Sequence, residues 1–433
     1  MGVGRRWREA DPDRLGQAFL WAAGARLAML LVPPLLSEDL WRYLWDGAVQ
    51  HLGYGPFDHA PADGVMDAAV AQWPALADIR DQIGHAEIPT IYPPAAQGVF
   101  YVVTAVAPSA LLWRFVSSGF ELGAAWAMLR WLRAEGRDPR AILLWLFCPL
   151  VALESTVGAH VDTLGVLGVA LAGALLAVGG PSKALGAGAA LALAVGTKLF
   201  PAVGLLRAGW RVTAGAGLAA GLLWLPYLAG TSGVTQSSGL ARYAQRWQAN
   251  DGLFAVLSWP FERLYPNNGL PVPLPEPVRA MGRVLVGPAI EVLGGPVAPL
   301  WPDEVAFAAA KALSLGLLGL VVLQRFVRAR DLAGVLGPVT IALLLVSPVV
   351  HPWYLLWILP FAVRLSAGPT PRRAWFFWIW TATVWVAYLP RLNLLATGVW
   401  TPLGALAQAE YLPVWIALAF TLRAGVNTAP DGP

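Results

Sequence analysis

The chain has 433 residues, 57% of them hydrophobic and only 13% charged, with a mean hydropathy of +0.57 and a formal charge of +4. An ordinary soluble domain carries about 25% charged residues, so composition excludes that class. The basic residues sit singly at the ends of apolar runs rather than in a stripe, which argues against nucleic-acid binding despite a pI near 9.3.

The N-terminal segment 1–15 holds Arg5, Arg6, Arg8 and Arg14, and an apolar run at 16–36 follows, ended by Pro33-Pro34. No small-residue cleavage site precedes Ser37, so the run reads as a retained first helix. Further stretches long enough to cross about 30 Å of hydrocarbon lie at 93–113, 115–133, 141–158, 163–180, 184–207 and 212–229. Others lie at 303–324, 332–350, 353–369, 374–390 and 406–422, with shorter candidates at 251–260 and 283–298. Backbone groups in lipid must be satisfied within the segment, so an all-α, polytopic integral membrane protein of about 11–13 transmembrane helices is predicted. The 22 Trp suit membrane interfaces, and the lone Cys148 excludes a disulfide within the chain.

The N-terminal Arg cluster assigns that end to the cytoplasm and the loop 37–92, with nine Asp or Glu against Arg42 and Arg80, to the outside. Arg325, Arg328, Arg330, Arg372, Arg373 and Arg423 mark the cytoplasmic side later in the chain, which places His351 and the 391–405 loop outside. Arg130, Arg133, Arg137 and Arg140 conflict with strict alternation. Either one run is re-entrant or the charge rule fails there, and the side of His160 and Asp162 stays open.

Within the first loop, Glu38 and Asp39 emerge directly after a hydrophobic run, where charge is costly without a use or a partner. A short helix over 38–52 puts Asp39, Arg42, Tyr43 and Asp46 on one face, with Trp41, Leu44, Trp45 and Leu52 opposite on the membrane surface. A carboxylate there can deprotonate a hydroxyl, and Arg42 can meet a lipid phosphate or orient Asp39. Equally, Asp39 and Arg42 can form a salt bridge that only holds the loop. Gly53, Gly55 and Pro56 make a turn, and Asp63 to Ile88 reads as one or two surface helices. Gln97, one turn into the next helix, can bond substrate or serve packing.

Further along, Glu154, His160 and Asp162 form a polar knot between apolar runs, either functional or a His160–Asp162 bond closing a helix turn. Lys198 can snorkel or bind phosphate, and Arg242 with Arg246 can grip a substrate phosphate or only lipid headgroups. His351, followed by Trp353 and Tyr354, is either a phosphate donor or an interfacial residue in an aromatic belt. The five His and one Cys never gather at ligand spacing and no phosphate-binding glycine motif appears, so neither a metal nor a nucleotide cofactor is expected.

The motif S-x-D-x-x-R-Y-x-W-D-G at Ser37–Gly47, followed by G-Y-G-P-F at Gly53–Phe57, resembles the start of bacterial polyprenyl-phosphate-mannose-dependent mannosyltransferases. These have the GT-C fold, are like glycosyltransferase family 87, and include the mycobacterial phosphatidylinositol mannoside enzymes. I-Y-P-P-A-A-Q at Ile91–Gln97, G-A-H-V-D at Gly158–Asp162, K-L-F-P at Lys198–Pro201 and H-P-W-Y-L-L-W at His351–Trp357 extend the similarity in order along the chain. The family's loops often read W-D-G-R and then G-x-N-P-Y, whereas this chain has Ala48, Gly55 and Phe57 at those places, which leaves the sugar open.

The resemblance implies a catalytic membrane module at 16–229, a variable one at 230–423 and a short tail at 424–433. It implies transfer of a hexose from a polyprenyl-phosphate donor to a lipid or glycan acceptor, by metal-independent inversion on the outer face of the bacterial cytoplasmic membrane. Asp39 matches the loop carboxylate that acts as base, and Glu38, Arg42 and His351 join it as catalytic candidates. Tyr43, Asp46, Gln97, His160, Asp162, Lys198, Arg242, Arg246 and Tyr354 are the expected substrate ligands. The rival functions are a transporter or flippase of lipid-linked sugars, against which no internal repeat is found, and a polysaccharide polymerase or ligase.

Overall fold

The structure is a computed structural model that describes residues 12–228, 239, 247–266 and 302–426. Arg242, Arg246 and the stretch 283–298 lie outside the described residues. The described chain is built of helices, and its only β contact is an isolated parallel bridge between Ala249 and Val349. The all-α expectation therefore holds for what is described.

Helix α1 (Pro12–Met29) leads to the first loop, which contains α2 (Asp39–His51), α3 (Asp67–Gln72) and α4 (Leu76–Arg80). Then follow α5 (Pro94–Val106), α6 (Ala110–Ala134), α7 (Ile142–Leu146) and α8 (Pro149–Ala152), the last running into a π turn at Leu153–Val157. The N-terminal part closes with α9 (Asp162–Val178), α10 (Pro181–Val195) and α11 (Trp210–Leu228). After α12 (Gly252–Leu264) come α13 (Pro302–Arg328), α14 (Leu332–Val346), α15 (Leu359–Ser366), α16 (Trp375–Thr383), α17 (Leu389–Thr397) and α18 (Ala407–Val426).

The helices are shorter than the apolar runs because the runs carry breakers. Pro108 separates α5 from α6, whose first turn is capped by Ser109 accepting from the Leu112 amide. Pro149, which has no amide to donate, stands at a 59° bend between Pro139–Leu146 and Pro149–Val157. Gly179 and Gly180, at φ 78° and 96°, turn α9 back into α10. One described helix, Asp303–Arg328, is long and apolar enough to cross a membrane unbroken, and the bent pair makes a second if taken as one span. The most apolar window of that long helix is only 17% buried. Leu20 and Trp21 on α1, Leu218 and Leu222 on α11, and Ile416 and Phe420 on α18 are likewise exposed.

The bundle has two chemically different ends. At one, Glu135 accepts from Arg137 and Arg364, and Arg364 also pairs with Asp331, so α6, α14 and α15 meet there. At the other lie Asp39, His160, Lys198 and His351. Helix α6 links them, about 37 Å long at 1.5 Å per residue. Its first turn sits beside residues 156–159, where Trp113 donates to the Ala159 carbonyl at 2.7 Å and Arg114 to that of Thr156 at 2.8 Å. By contrast α5 lies alongside α2, with Gly47 against the backbone of Phe100 and the His51 ring stacked on Tyr101. The run expected as one span at 93–113 is therefore a short helix that stays at one end. Arg130, Arg133, Arg137 and Arg140 fall toward the end opposite His160 and Asp162.

The membrane-facing side expected for α2 is corrected. Leu44 and Trp45 are each 1% exposed and pack with Met66, Ile79 and Phe100, because the chain from 52 to 92 folds back and covers the helix with α3 and α4. Trp41 and Leu52 remain half-buried.

Candidate active site

Asp39 opens α2, with its backbone amide bonded to the Ser37 hydroxyl at 3.2 Å. Its carboxylate is one-third exposed and has the Tyr43 hydroxyl 3.5 Å away, one turn along the helix. Opposite stands His160, fully buried, with Nδ1 3.4 Å from Asp39 Oδ2 and Nε2 3.3 Å from Glu154 Oε2. The imidazole thus lies within ion-pair distance of two carboxylates, with neither ring nitrogen in hydrogen-bond geometry to them.

The local chain is bent to hold that ring. Glu154 lies in the π turn, a wider winding common near functional positions, and the Gly158 amide donates to the Leu153 carbonyl at 2.9 Å. Ala159 follows at φ 52°, a left-handed conformation costly for a residue with a Cβ. It is kept there by the Trp113 indole, and the His160 carbonyl accepts from Thr163 Oγ1 at 3.1 Å. On the far side of Glu154, the Tyr388 hydroxyl donates to its other oxygen at 2.5 Å.

The indole of Trp353 lies between two imidazoles. It stacks on His160 with ring centres 3.7 Å apart and on His351 at 4.4 Å, all three rings nearly parallel. Asp162 forms the next group: its Oδ1 accepts from Lys198 Nζ at 2.7 Å and from the Trp357 indole at 2.5 Å. Lys198 Nζ also sits 3.6 Å above the Tyr354 ring. Asp162 therefore bonds Lys198 and not His160, the partner considered for it from sequence.

Electrostatics follow from these neighbours. Burial acts to lower the His160 pKa, but Asp39 and Glu154 at its two nitrogens overcome that and raise it to about 9, so the ring is charged at neutral pH. Burial acts to raise the Asp39 carboxyl, yet His160, with Lys198 farther out, holds it below the usual carboxylate range. Burial carries His351 down to about 4, leaving a neutral imidazole able to donate one hydrogen bond. The result is an ionised, partly exposed carboxylate facing a neutral imidazole and a lysine.

The expected residues divide between two clusters. Asp39, Tyr43, His160, Asp162, Lys198, His351 and Tyr354 converge as described. Arg42, Asp46 and Gln97 form a second cluster beneath α2: Arg42 Nε donates to Asp46 Oδ1 at 2.7 Å and its Nη1 to the Ile88 carbonyl at 2.8 Å. Gln97 Nε2 donates to Asp46 Oδ2 at 3.1 Å and to Thr90 Oγ1 at 2.9 Å, and Gln50 donates to the Gln97 carbonyl oxygen of its side chain. Glu38 points away from Asp39 and pairs with Arg391 of α17.

Sequence reading passed over Trp353 and Trp357 as partners, although both lie in the H-P-W-Y-L-L-W block. It also passed over Tyr388, which no motif marks. Among the described residues no group of three or more His, Cys, Asp or Glu could hold a metal ion.

No curated protein and no solved structure matches the chain. Residues 3–214 match the family model described as alpha-(1->6)-mannopyranosyltransferase, N-terminal domain. That range contains Asp39, Glu154, His160, Asp162 and Lys198, and stops short of His351, Trp353 and Tyr388. Over this part of the chain the match supports a sugar-transferring enzyme of the mannosyltransferase type.

Proposed function

We propose that the protein is a membrane mannosyltransferase that uses a polyprenyl-phosphate sugar as donor and Asp39 as general base. The observation that carries this is the Asp39 carboxylate, one-third exposed at a helix start and paired with His160, with the His351 ring across Trp353 and Lys198 held by Asp162. In the step proposed, Asp39 takes the proton of an acceptor hydroxyl as its oxygen bonds to the anomeric carbon. The bond from that carbon to the phosphate oxygen breaks with inversion, and the electron pair leaves on the lipid phosphate. Asp39 then returns its proton to solvent. The departing phosphate gains charge, which Lys198 and His351 stabilise by donating hydrogen bonds. His160 keeps Asp39 ionised and Asp162 fixes the Lys198 ammonium.

Arg42, Asp46 and Gln97 hold the first loop in this reading, since their polar atoms are turned to one another and to Ile88 and Thr90. The exposed apolar sides of α1, α11, α13 and α18 favour a lipid-embedded bundle, because water-exposed apolar surface of that extent is rare on soluble proteins. The Arg-rich end is assigned to the cytoplasm and the Asp39 end to the outside. The α-(1→6) linkage in the matched family's description is the first to test here.

The test is mannosyl transfer by purified enzyme from a short-chain polyprenyl-phosphate-mannose to a panel of lipid and glycan acceptors. Asp39→Asn is expected to lower turnover by about 10²–10⁴-fold, the usual worth of a general base, while donor binding persists. Unchanged turnover in that variant would remove Asp39 as the base.

A further inference from the structure

The backbone that leads into His351 is held from three directions, all within the back half of the chain. Ala249 bridges to it, its amide donating to the Pro348 carbonyl and its carbonyl accepting from the Val350 amide, each at 2.9 Å. Asn250 Nδ2 donates to the Val350 carbonyl at 3.1 Å and to Glu410 Oε2 at 2.9 Å. The Trp380 indole of α16 donates to the other Glu410 oxygen at 2.7 Å, and the Tyr411 hydroxyl to the Asn250 carbonyl at 2.7 Å. His351 is the next residue, its own carbonyl accepting from the Tyr354 amide at 2.9 Å.

Stability does not by itself explain this set. Glu410 is fully buried and, among the described residues, bonds two neutral donors and no cation. A buried carboxylate without a counter-charge is expensive, and an apolar side chain of similar volume would cost less. Asn250 adds a second unfavourable choice, since its φ of 53° is a left-handed conformation disfavoured for a residue with a Cβ. Gly252 leaves no space for a Cβ against the Tyr411 ring, which lets the phenol reach the Asn250 carbonyl. Strain of this kind persists where the surroundings over-determine it. Here the bonds converge on one peptide, the one that joins Val350 to His351.

We propose that Asn250, held by Glu410, is the positioning residue for His351. It fixes the Val350–His351 peptide so that the imidazole stays stacked on Trp353 with its N–H available to the departing phosphate. That last role rests on the transferase reading above, whereas the clamp on the peptide does not. Asn250, Trp380, Glu410 and Tyr411 all lie beyond residues 3–214, so the matched family model assigns them nothing.

The experiment measures mannosyl transfer from a short-chain polyprenyl-phosphate-mannose to a panel of acceptors by the full chain in nanodiscs. Asn250→Gly keeps the left-handed turn and removes both side-chain bonds, and Glu410→Leu removes both acceptors. Each is expected to lower kcat at least about fivefold, with the donor KM moved less than about twofold. In a His351→Ala background the same substitutions should change kcat less than about twofold, because they act through the imidazole. A smaller fall in either single variant, or a fall that persists without the imidazole, would overturn the proposal, since a merely structural clamp lowers turnover in both backgrounds. Should Glu410→Leu fail to fold, Asn250→Gly decides alone. Should wild type transfer nothing from this donor, the transferase reading fails on its own, and NMR of histidine labelled at the ring nitrogens decides the clamp. The chain has five His, and the His351 signals are those lost in His351→Ala. Their displacement in Asn250→Gly, with those of His51, His59 and His85 unmoved, upholds the clamp; unmoved His351 signals, or displacement of all five His together, overturn it.

Discussion

His160 carries the electrostatics of the site through its two carboxylate neighbours, and that makes its contribution dependent on pH. Its folded pKa, about 9, lies above the ordinary histidine value, so the stability its charge adds is complete below about pH 6.5 and is lost as pH rises through about 9. Asp39 behaves oppositely: its pKa is lowered, so its contribution is present above the ordinary carboxylate range and is lost as pH falls through the lowered value. The melting temperature of the detergent-solubilised protein is expected to drop between pH 8 and pH 10, and the drop to be absent in His160→Gln. An unchanged alkaline profile in that variant would contradict a charged His160. Of these residues, Asp39, His160, Asp162, Lys198 and His351 were identifiable from sequence because isolated charges at the ends of apolar runs demand an explanation. Their pairing was not. Sequence spacing suggests His160 with Asp162, two residues apart, whereas folding brings His160 to Asp39 and Glu154 and leaves Asp162 to Lys198. Arg42 shows the converse: its position one turn from Asp39 suggests a partner there, but it pairs with Asp46, one turn onward in α2, and with the Ile88 carbonyl that the returning chain brings over the helix.

Close approach between elements sets the second group of expectations. Gly165 of α9 faces the Trp357 ring so closely that a Cβ would overlap it. Gly165→Ala should push Trp357 off Asp162, cost about 1–3 kcal/mol as an overpacked substitution, and lower transfer, read by melting temperature and turnover together. Glu410 of α18 is buried and accepts from Trp380 Nε1 at 2.7 Å and from Asn250 Nδ2 at 2.9 Å. Asn250, at φ 53°, also donates to the Val350 carbonyl, next to His351. Glu410→Leu leaves two buried donors unpaired and is expected to destabilise by about 1–3 kcal/mol for each, whereas Glu410→Gln keeps an acceptor and should lose less. A melting temperature equally low in both variants would show that the charge itself, and not the acceptor, is what matters. The existence of these helices was readable from the apolar runs. Their lengths were not, because Pro108, Pro149 and the Gly179-Gly180 pair interrupt runs whose hydropathy is continuous. Helix α5 is the clearest instance: its composition suits a span, and only the turn at Pro108 and the packing on α2 make it a short helix at one end.

For the molecule as a whole, the expectation concerns sidedness. Cys148 is buried, so single cysteines introduced elsewhere report against a quiet background. In intact cells, a membrane-impermeant maleimide should label Asp81→Cys and spare Arg372→Cys, which should react only after permeabilisation. The reverse pattern would turn the bundle over and move the proposed chemistry to the cytoplasmic face. Composition pointed to a membrane protein at the outset, and the exposed apolar sides of α1, α11, α13 and α18 give that reading a shape. What composition could not reveal is the division of polar work between the two ends: Arg and Glu pairs at one, and a nested set of carboxylates, imidazoles and indoles at the other.

The stack of His160, Trp353 and His351 joins residues nearly two hundred positions apart, and Tyr388 reaches still farther to Glu154. The partner rings come from beyond residue 214, while the carboxylates they serve come from before it. A boundary drawn between a preserved front and a free-to-vary back would cut through the proposed reacting centre. Exchange of back halves between relatives should succeed only when the aromatic ring, the imidazole and the phenol travel together. On the proposed chemistry, diversification of the back half would be confined to surfaces turned away from that seam.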